Sequence, residues 1–187
     1  EYLKKSVVSG KSIIISGSTS SGKTTFLNML TSFIPTEERI ITIEDSAELN
    51  IRHRNIVRME TRNANTEGYG EIKMRALIKA ALRMRPDRLL IGEVRDESAL
   101  ELLTAMCTGH SGSMSTIHAN SAEDTLVRLE TMALWEGHVH SEAIKRMIIS
   151  GVDTVVFLER NKKGRRVKEI AEVDKSEKEK IILERVV

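Results

Sequence analysis

Near the start of the chain, Gly17-Ser-Thr-Ser-Ser-Gly-Lys-Thr24 places two glycines, a lysine and a hydroxyl at a spacing that suits phosphate. Glycines let the backbone turn tightly enough for its N–H groups to face an oxyanion, the lysine reaches the terminal phosphates, and the hydroxyl ligates Mg²⁺. Gly17, Ser18, Thr19, Ser20, Ser21, Gly22, Lys23, Thr24 and Thr25 are therefore candidate nucleotide-phosphate ligands, with Thr24 also a candidate metal ligand. Phosphoryl transfer to water needs in addition a carboxylate that holds the metal shell or polarises the water. Two apolar runs end on one: Arg39-Ile-Ile-Thr-Ile-Glu44, followed by Asp45, and Leu89-Leu-Ile-Gly-Glu93. Glu44 is the first choice for the water and Glu93 for Mg²⁺, and the two roles could be exchanged.

A third group is Thr108-Gly-His-Ser-Gly-Ser-Met-Ser-Thr-Ile-His-Ala-Asn120, with two histidines among glycines and hydroxyls. Zinc is a poor reading because ligands are scarce: Cys107 is the single cysteine, and His138 and His140 lie beyond an intervening helical segment. A general-base role for His118 is weaker than a carboxylate's, since an imidazole beside several phosphates tends to take up a proton. His110 sits in a glycine-flanked turn, where it either organises the turn or contacts the nucleotide.

These residues must be positioned by an alternation of strands and helices. Ser12–Ser16 reads as a short buried strand running into the glycine loop, and Lys23–Ile34 as a helix with one apolar side. Arg39–Glu44, Ile56–Glu60, Arg88–Gly92 and Ser113–Ile117 read as further strands. Glu71–Arg85, Asp96–Cys107, Ser121–Glu136 and Ser141–Ile149 read as helices, two of them opened by the capping residues Asp96 and Ser121. After Gly151, Asp153–Glu159 and Arg165–Val173 flank the turn Asn161–Gly164 as a charged hairpin, with a last edge strand within Ile181–Val187. The pattern predicts an α/β fold: a mostly parallel sheet flanked by helices and closed by a C-terminal antiparallel hairpin.

Composition agrees. The 187 residues are 40% hydrophobic but only 3% aromatic, which suits aliphatic parallel strands and leaves little on which nucleic-acid bases could stack. One cysteine excludes an internal disulfide and favours a reducing, cytoplasmic compartment; no run is long and apolar enough for a spanning helix. The chain does not begin with Met, so an excised domain is expected. The net charge of +2 hides an uneven distribution, because Ile51–Arg95 holds nine Arg and two Lys against four Glu and one Asp.

Taken in order and spacing, Gly17–Thr25, Ile43-Glu-Asp45, Leu82-Arg-Met-Arg-Pro-Asp-Arg88, Ile91-Gly-Glu-Val-Arg95 and Thr108–Asn120 resemble the secretion-superfamily ATPases. These are the hexameric motors of type II and type IV secretion, conjugation and pilus assembly. The stretches correspond to that family's Walker A, Asp box, Walker B and His box, and the likeness runs from about Glu1 to Val173. Arg58-Met-Glu-Thr-Arg62 and Ile117-His-Ala-Asn120 look most like the Tad-pilus (CpaF-type) and conjugation-type branch. The resemblance implies a RecA-like P-loop ATPase domain over residues 1–187 that hydrolyses ATP with Mg²⁺, without the N-terminal domain that family members place before it. It implies a hexameric homo-oligomer at the inner face of the cytoplasmic membrane, working with platform or secretion-channel proteins. It also places His118 near the γ-phosphate as donor or sensor and makes Arg58, Arg62, Arg83 and Arg95 candidates for charge neutralisation across a subunit boundary, Arg83 foremost. The alternative is a nucleic-acid-dependent translocase or helicase on the same core, its arginines on phosphodiester backbone. The low aromatic content speaks against that alternative.

Overall fold

The computed structural model describes residues 1–176 and 181–186. Its strands are β1 (Ile13–Gly17), β2 (Ile40–Glu44), β3 (Ile56–Glu60), β4 (Arg88–Ile91), β5 (Met114–Ile117), β6 (Thr154–Asn161), β7 (Gly164–Val173) and β8 (Leu183–Arg185). The helices are α1 (Tyr2–Val8), α2 (Lys23–Thr31), α3 (Met74–Ala81), α4 (Ser98–Cys107), α5 (Ala122–Leu134) and α6 (Ser141–Gly151). All eight strands form one sheet in the order β3-β2-β4-β5-β1-β6-β7-β8. The first six run parallel, and β7 and β8 add antiparallel at one edge.

The sheet is buried on both faces because its central strands carry apolar residues at successive positions. Strand alternation sends Ile14 into a core with Ile41, Leu89 and the helices α3 to α6, while Ile13 and Ile15 pack with Leu27, Leu30 and Val7 under α1 and α2. Each of these isoleucines is fully buried, contributing about 2 kcal/mol of apolar transfer free energy. The resulting slab sets every parallel strand's C-terminal end on one rim, where open α/β sheets place their ligands.

Some elements differ from the sequence reading. Helix α1 was not anticipated; its seven residues anchor through Val7. The segment read as one helix over Glu71–Arg85 is α3 plus a 3-10 turn, Leu82–Met84, ended by Arg85 at φ 54. Pro86 disfavours the right-handed helical region for the residue before it, and Ile72 is taken up in a bridge with Arg62. Helix α2 stops at Thr31, and the chain reaches Pro35 through i→i+3 bonds such as Ile34 N–H to Thr31 O. Ser121 caps α5 by accepting from Asp124 N–H, and Asp96 accepts from Ser98 N–H at the start of α4. Beyond β7, residues 177–180 and, within the last edge segment, residue 187 lie outside the described residues.

Candidate active site

The loop between β1 and α2 is shaped by local necessity. Gly17 has φ 154, and a Cβ there would come within 2.5 Å of both Leu158 O and Ser21 Oγ. Ser20 at φ 60 is left-handed, uncommon for a residue with a Cβ, and Gly22 at φ 93 delivers the chain into α2. No side chain caps α2, so its first N–H groups remain available to an anion at the helix N-terminus.

Lys23 curls back over this loop. Its ammonium donates to Gly17 O at 3.1 Å, to Ser18 O at 3.2 Å, and to His118 Nδ1 at 3.2 Å from the end of β5. An ammonium can only donate, so His118 Nδ1 is the acceptor and the ring proton sits on Nε2. Nε2 lies 2.9 Å from Glu93 Oε1, but off the line of the N–H, leaving Oε1 buried without an aligned donor. Glu93 Oε2 accepts from Arg95 at 2.9 Å. Burial pushes the Lys23 pKa down, with Glu93 opposing and Arg95 assisting. Burial likewise lowers that of His118; Glu93 opposes, while Lys23, Arg95 and Arg128 lower it further. The imidazole is therefore neutral at pH 7.

Glu44 ends β2 beside this chain of contacts. Its side chain is buried, and Oε1 accepts the N–H groups of Glu48 at 3.0 Å and Leu49 at 2.9 Å, which fixes the carboxylate's orientation. Gly92 is the floor against which it packs, since a Cβ at that position would sit 3.1 Å from Glu44 Cγ. Thr24, Glu44 and Glu93, together with Asp45, Glu48 and Arg95, line one cleft of about 230 Å³. Four of the sequence candidates, Thr24, Glu44, Glu93 and Arg95, are thus brought together from three parts of the chain, and the Lys23–His118 bond joins two more. Among the described residues no three His, Cys, Asp or Glu side chains converge as a ready metal cage. A hydroxyl and one or two carboxylates beside a phosphate loop nevertheless fit Mg²⁺, which keeps several waters and takes its remaining oxygens from substrate phosphates.

Residues 1–179 match the family model described as type II/IV secretion system protein. The chain belongs to that family. A putative conjugal transfer protein of Mycobacterium tuberculosis, Rv3659c, is 39% identical over 82% of this chain and 43% of its own length. The conjugal transfer protein TrbB of Rhizobium radiobacter is 37% identical over 92% of this chain and 51% of its own. The VirB11 ATPase of the Brucella suis type IV secretion system, solved in complex with sulphate, superposes with a TM-score of 0.83 at 32% identity. That match covers 91% of this chain and 51% of the solved one. The chain spans about half the length of the relatives it matches.

Within this secretion-family chain the arginines are scattered. Arg83 is exposed on the 3-10 turn just before β4, at the sheet's opposite rim from Lys23. Arg58 lies midway along edge strand β3 and donates to Ile51 O at 2.6 Å. Arg62 donates through Nε to Gly70 O at 2.7 Å and lines a neighbouring recess with Asp45, Glu71 and Asp96. None of the three reaches the cleft of its own chain; only Arg95 does. His110 and His118 stand at opposite ends of β5, so His110 belongs to the turn and not to this chain's cleft. One contact had no sequence signal beyond local charge density: Arg165 of β7 donates through Nε to Ser20 O in the phosphate loop at 3.1 Å.

Proposed function

We propose that this chain is the ATP-hydrolysing domain of a longer, ring-forming motor, hexameric by analogy, that powers conjugation, pilus assembly or type II/IV secretion. One observation carries the reading: Thr24, Glu44 and Glu93 share a cleft at the foot of a phosphate loop whose lysine is hydrogen-bonded to His118. The family membership and the name of the VirB11 ATPase support it. In this reading the loop N–H groups and Lys23 bind the β- and γ-phosphates, Lys23 exchanging its carbonyl and imidazole acceptors for phosphate oxygens. Glu44, oriented by two N–H donors, accepts the proton of the attacking water, with Glu93 as the alternative. Neutral His118 presents Nε2–H to the γ-phosphate and registers its loss. Thr24 and Glu93 would hold Mg²⁺, which screens phosphate charge when bound.

Because Arg58, Arg62 and Arg83 miss their own cleft, they serve the reading only from a neighbouring subunit. An isolated chain then binds nucleotide but lacks part of its transition-state stabilisation. Among the described residues no helix is long and apolar enough to cross a membrane, and the motor is placed peripherally at the inner face, on platform or channel proteins. Phosphate release by the chain across a dilution series, with and without EDTA, tests this. Chelator-sensitive turnover whose specific activity rises with protein concentration is expected. Absence of turnover at every concentration would overturn it, and salt-dependent stimulation by DNA would favour the translocase instead.

A further inference from the structure

The β6–β7 hairpin ends in Arg160-Asn-Lys-Lys-Gly-Arg-Arg166, and its basic residues are not all alike. Arg166 and Lys168 pair with Glu159. Arg160 and Arg165 have no carboxylate partner among the described residues, yet they sit directly opposite each other across the two strands. Like charges so placed are destabilising. The register makes the placement specific. A bulge at Phe157/Leu158 shifts the pairing by one residue, so that Arg165, and not Arg166, faces Arg160. By strand alternation both arginines then share the face of Leu158 and Val167, which pack with Leu27 of α2. That is the face of the phosphate loop, and there Arg165 Nε meets Ser20 O while its Cδ lies 3.2 Å from where a Cβ of Gly22 would be.

We propose that this hairpin is a wall of the nucleotide site: Arg165 positions the phosphate loop through Ser20, and with Arg160 it draws in the phosphates of a nucleoside di- or triphosphate from the same chain. Ser20 is the loop's left-handed non-glycine residue, and a donor from 145 residues away holds its carbonyl. With Nε engaged, the guanidinium keeps four N–H donors for an anion. The unfavourable Arg160–Arg165 pairing is relieved when that anion binds. The contact lies at the loop apex and not in the carboxylate cleft, so it acts on ground-state and transition-state binding alike.

This inference rests on the phosphate loop binding nucleotide, and the experiment separates the two. Calorimetric affinities for MgADP and MgATP, with steady-state kinetics, are measured for the chain and for Arg165→Ala, Arg165→Lys, Arg160→Ala, Arg166→Ala and Lys23→Ala. Arg165→Ala is expected to weaken both nucleotides about tenfold, the loss of one charge-assisted contact. KM should rise accordingly and kcat stay within about twofold. Arg160→Ala should weaken binding about threefold, Arg165→Lys should recover part of the loss, and Arg166→Ala, on the other face, should change nothing. Unchanged affinity in both Arg165→Ala and Arg160→Ala overturns the proposal, as does an equal loss in Arg166→Ala, which would mark a general charge effect. A fall in kcat at constant KM overturns it too. If the unsubstituted chain binds no better than Lys23→Ala, the nucleotide reading itself falls.

Discussion

The two rims of the sheet handle buried charge in opposite ways. At the strands' N-terminal ends, Arg88 is 3% exposed, yet Glu38 grips its guanidinium at two points and Gly112 O lies 3.5 Å from it. At the C-terminal ends, the buried ammonium of Lys23 rests on carbonyls and an imidazole, and Ser21 Oγ and Glu93 Oε1 have no aligned partner. One rim answers its buried cation with a carboxylate. The other leaves its buried ammonium on neutral acceptors alone, beside a left-handed serine, the local inconsistency expected where an anionic ligand completes the structure.

Lys23→Ala should sharpen the contrast most. Hydrolysis is expected to fall about 10³-fold, the scale on which a donor to developing charge matters. The thermal midpoint should hold within about 2 °C, because the substitution also removes an ammonium that burial disfavours. A large drop in midpoint with turnover retained would break the comparison. At the other rim the sign reverses. Arg88→Ala strands Glu38 and should destabilise by about 3 kcal/mol in urea unfolding, leaving MgATP affinity within about twofold at temperatures where the chain is folded. Gly112→Ala should act similarly, since a Cβ there collides with the Arg88 guanidinium and the backbone is at φ 82.

That last glycine shows what the sequence could and could not tell. The phosphate loop and the strand-end carboxylates are legible because their chemistry is written in local spacing: Gly17, Gly22, Lys23 and Thr24 are neighbours, and Glu44 and Glu93 each end an apolar run. The parallel sheet follows from the same runs. Gly112, in contrast, lies in the same thirteen-residue stretch as His118 and serves the opposite rim. Only the sheet order, which sets β5 beside β4, discloses that it makes room for Arg88. Arg83, the foremost candidate arginine from its motif, sits on a turn that feeds the start of β4 and cannot reach the end of β1 in its own chain, so the sequence expectation for it concerns a subunit boundary that one chain does not contain. Arg165 was invisible for the same reason, its partner being fixed by a β-bulge and a crossover.

Glu44→Gln and Glu93→Gln divide the working rim itself. Each should bind MgATP and hydrolyse it about 10²-fold more slowly, since the amide keeps shape and loses charge. Their structural consequences should differ. The glutamine at 44 can still accept from Glu48 and Leu49 N–H, so stability is unaffected, whereas at 93 it weakens the contacts with Arg95 and His118. Normal single-turnover hydrolysis by Glu44→Gln would move the water to Glu93 or Glu48.

The smallest effect is the pH response of His118. Burial, with Lys23, Arg95 and Arg128, holds its folded-state pKa below the ordinary imidazole value. The free chain therefore binds no proton there at pH 7, while phosphates placed before Nε2–H raise the pKa in the complex. Nucleotide binding then takes up a proton in the window between the lowered free value and the raised bound one, and affinity strengthens as pH falls through it. Stability runs the other way. The unfolded chain protonates near the ordinary value and the folded chain only below it, so this histidine's contribution is present above about pH 6.5 and is lost as pH falls toward the folded-state pKa. Calorimetry from about pH 7.5 to 5.5 should show the affinity for a magnesium-bound, non-hydrolysable ATP analogue rising by less than about tenfold relative to His118→Gln, the comparison cancelling the nucleotide's own titration. Urea midpoints over the same range should fall more steeply in the parent than in the variant. Identical pH slopes for parent and variant in both measurements would remove His118 from the phosphates and leave it as a prop for Lys23.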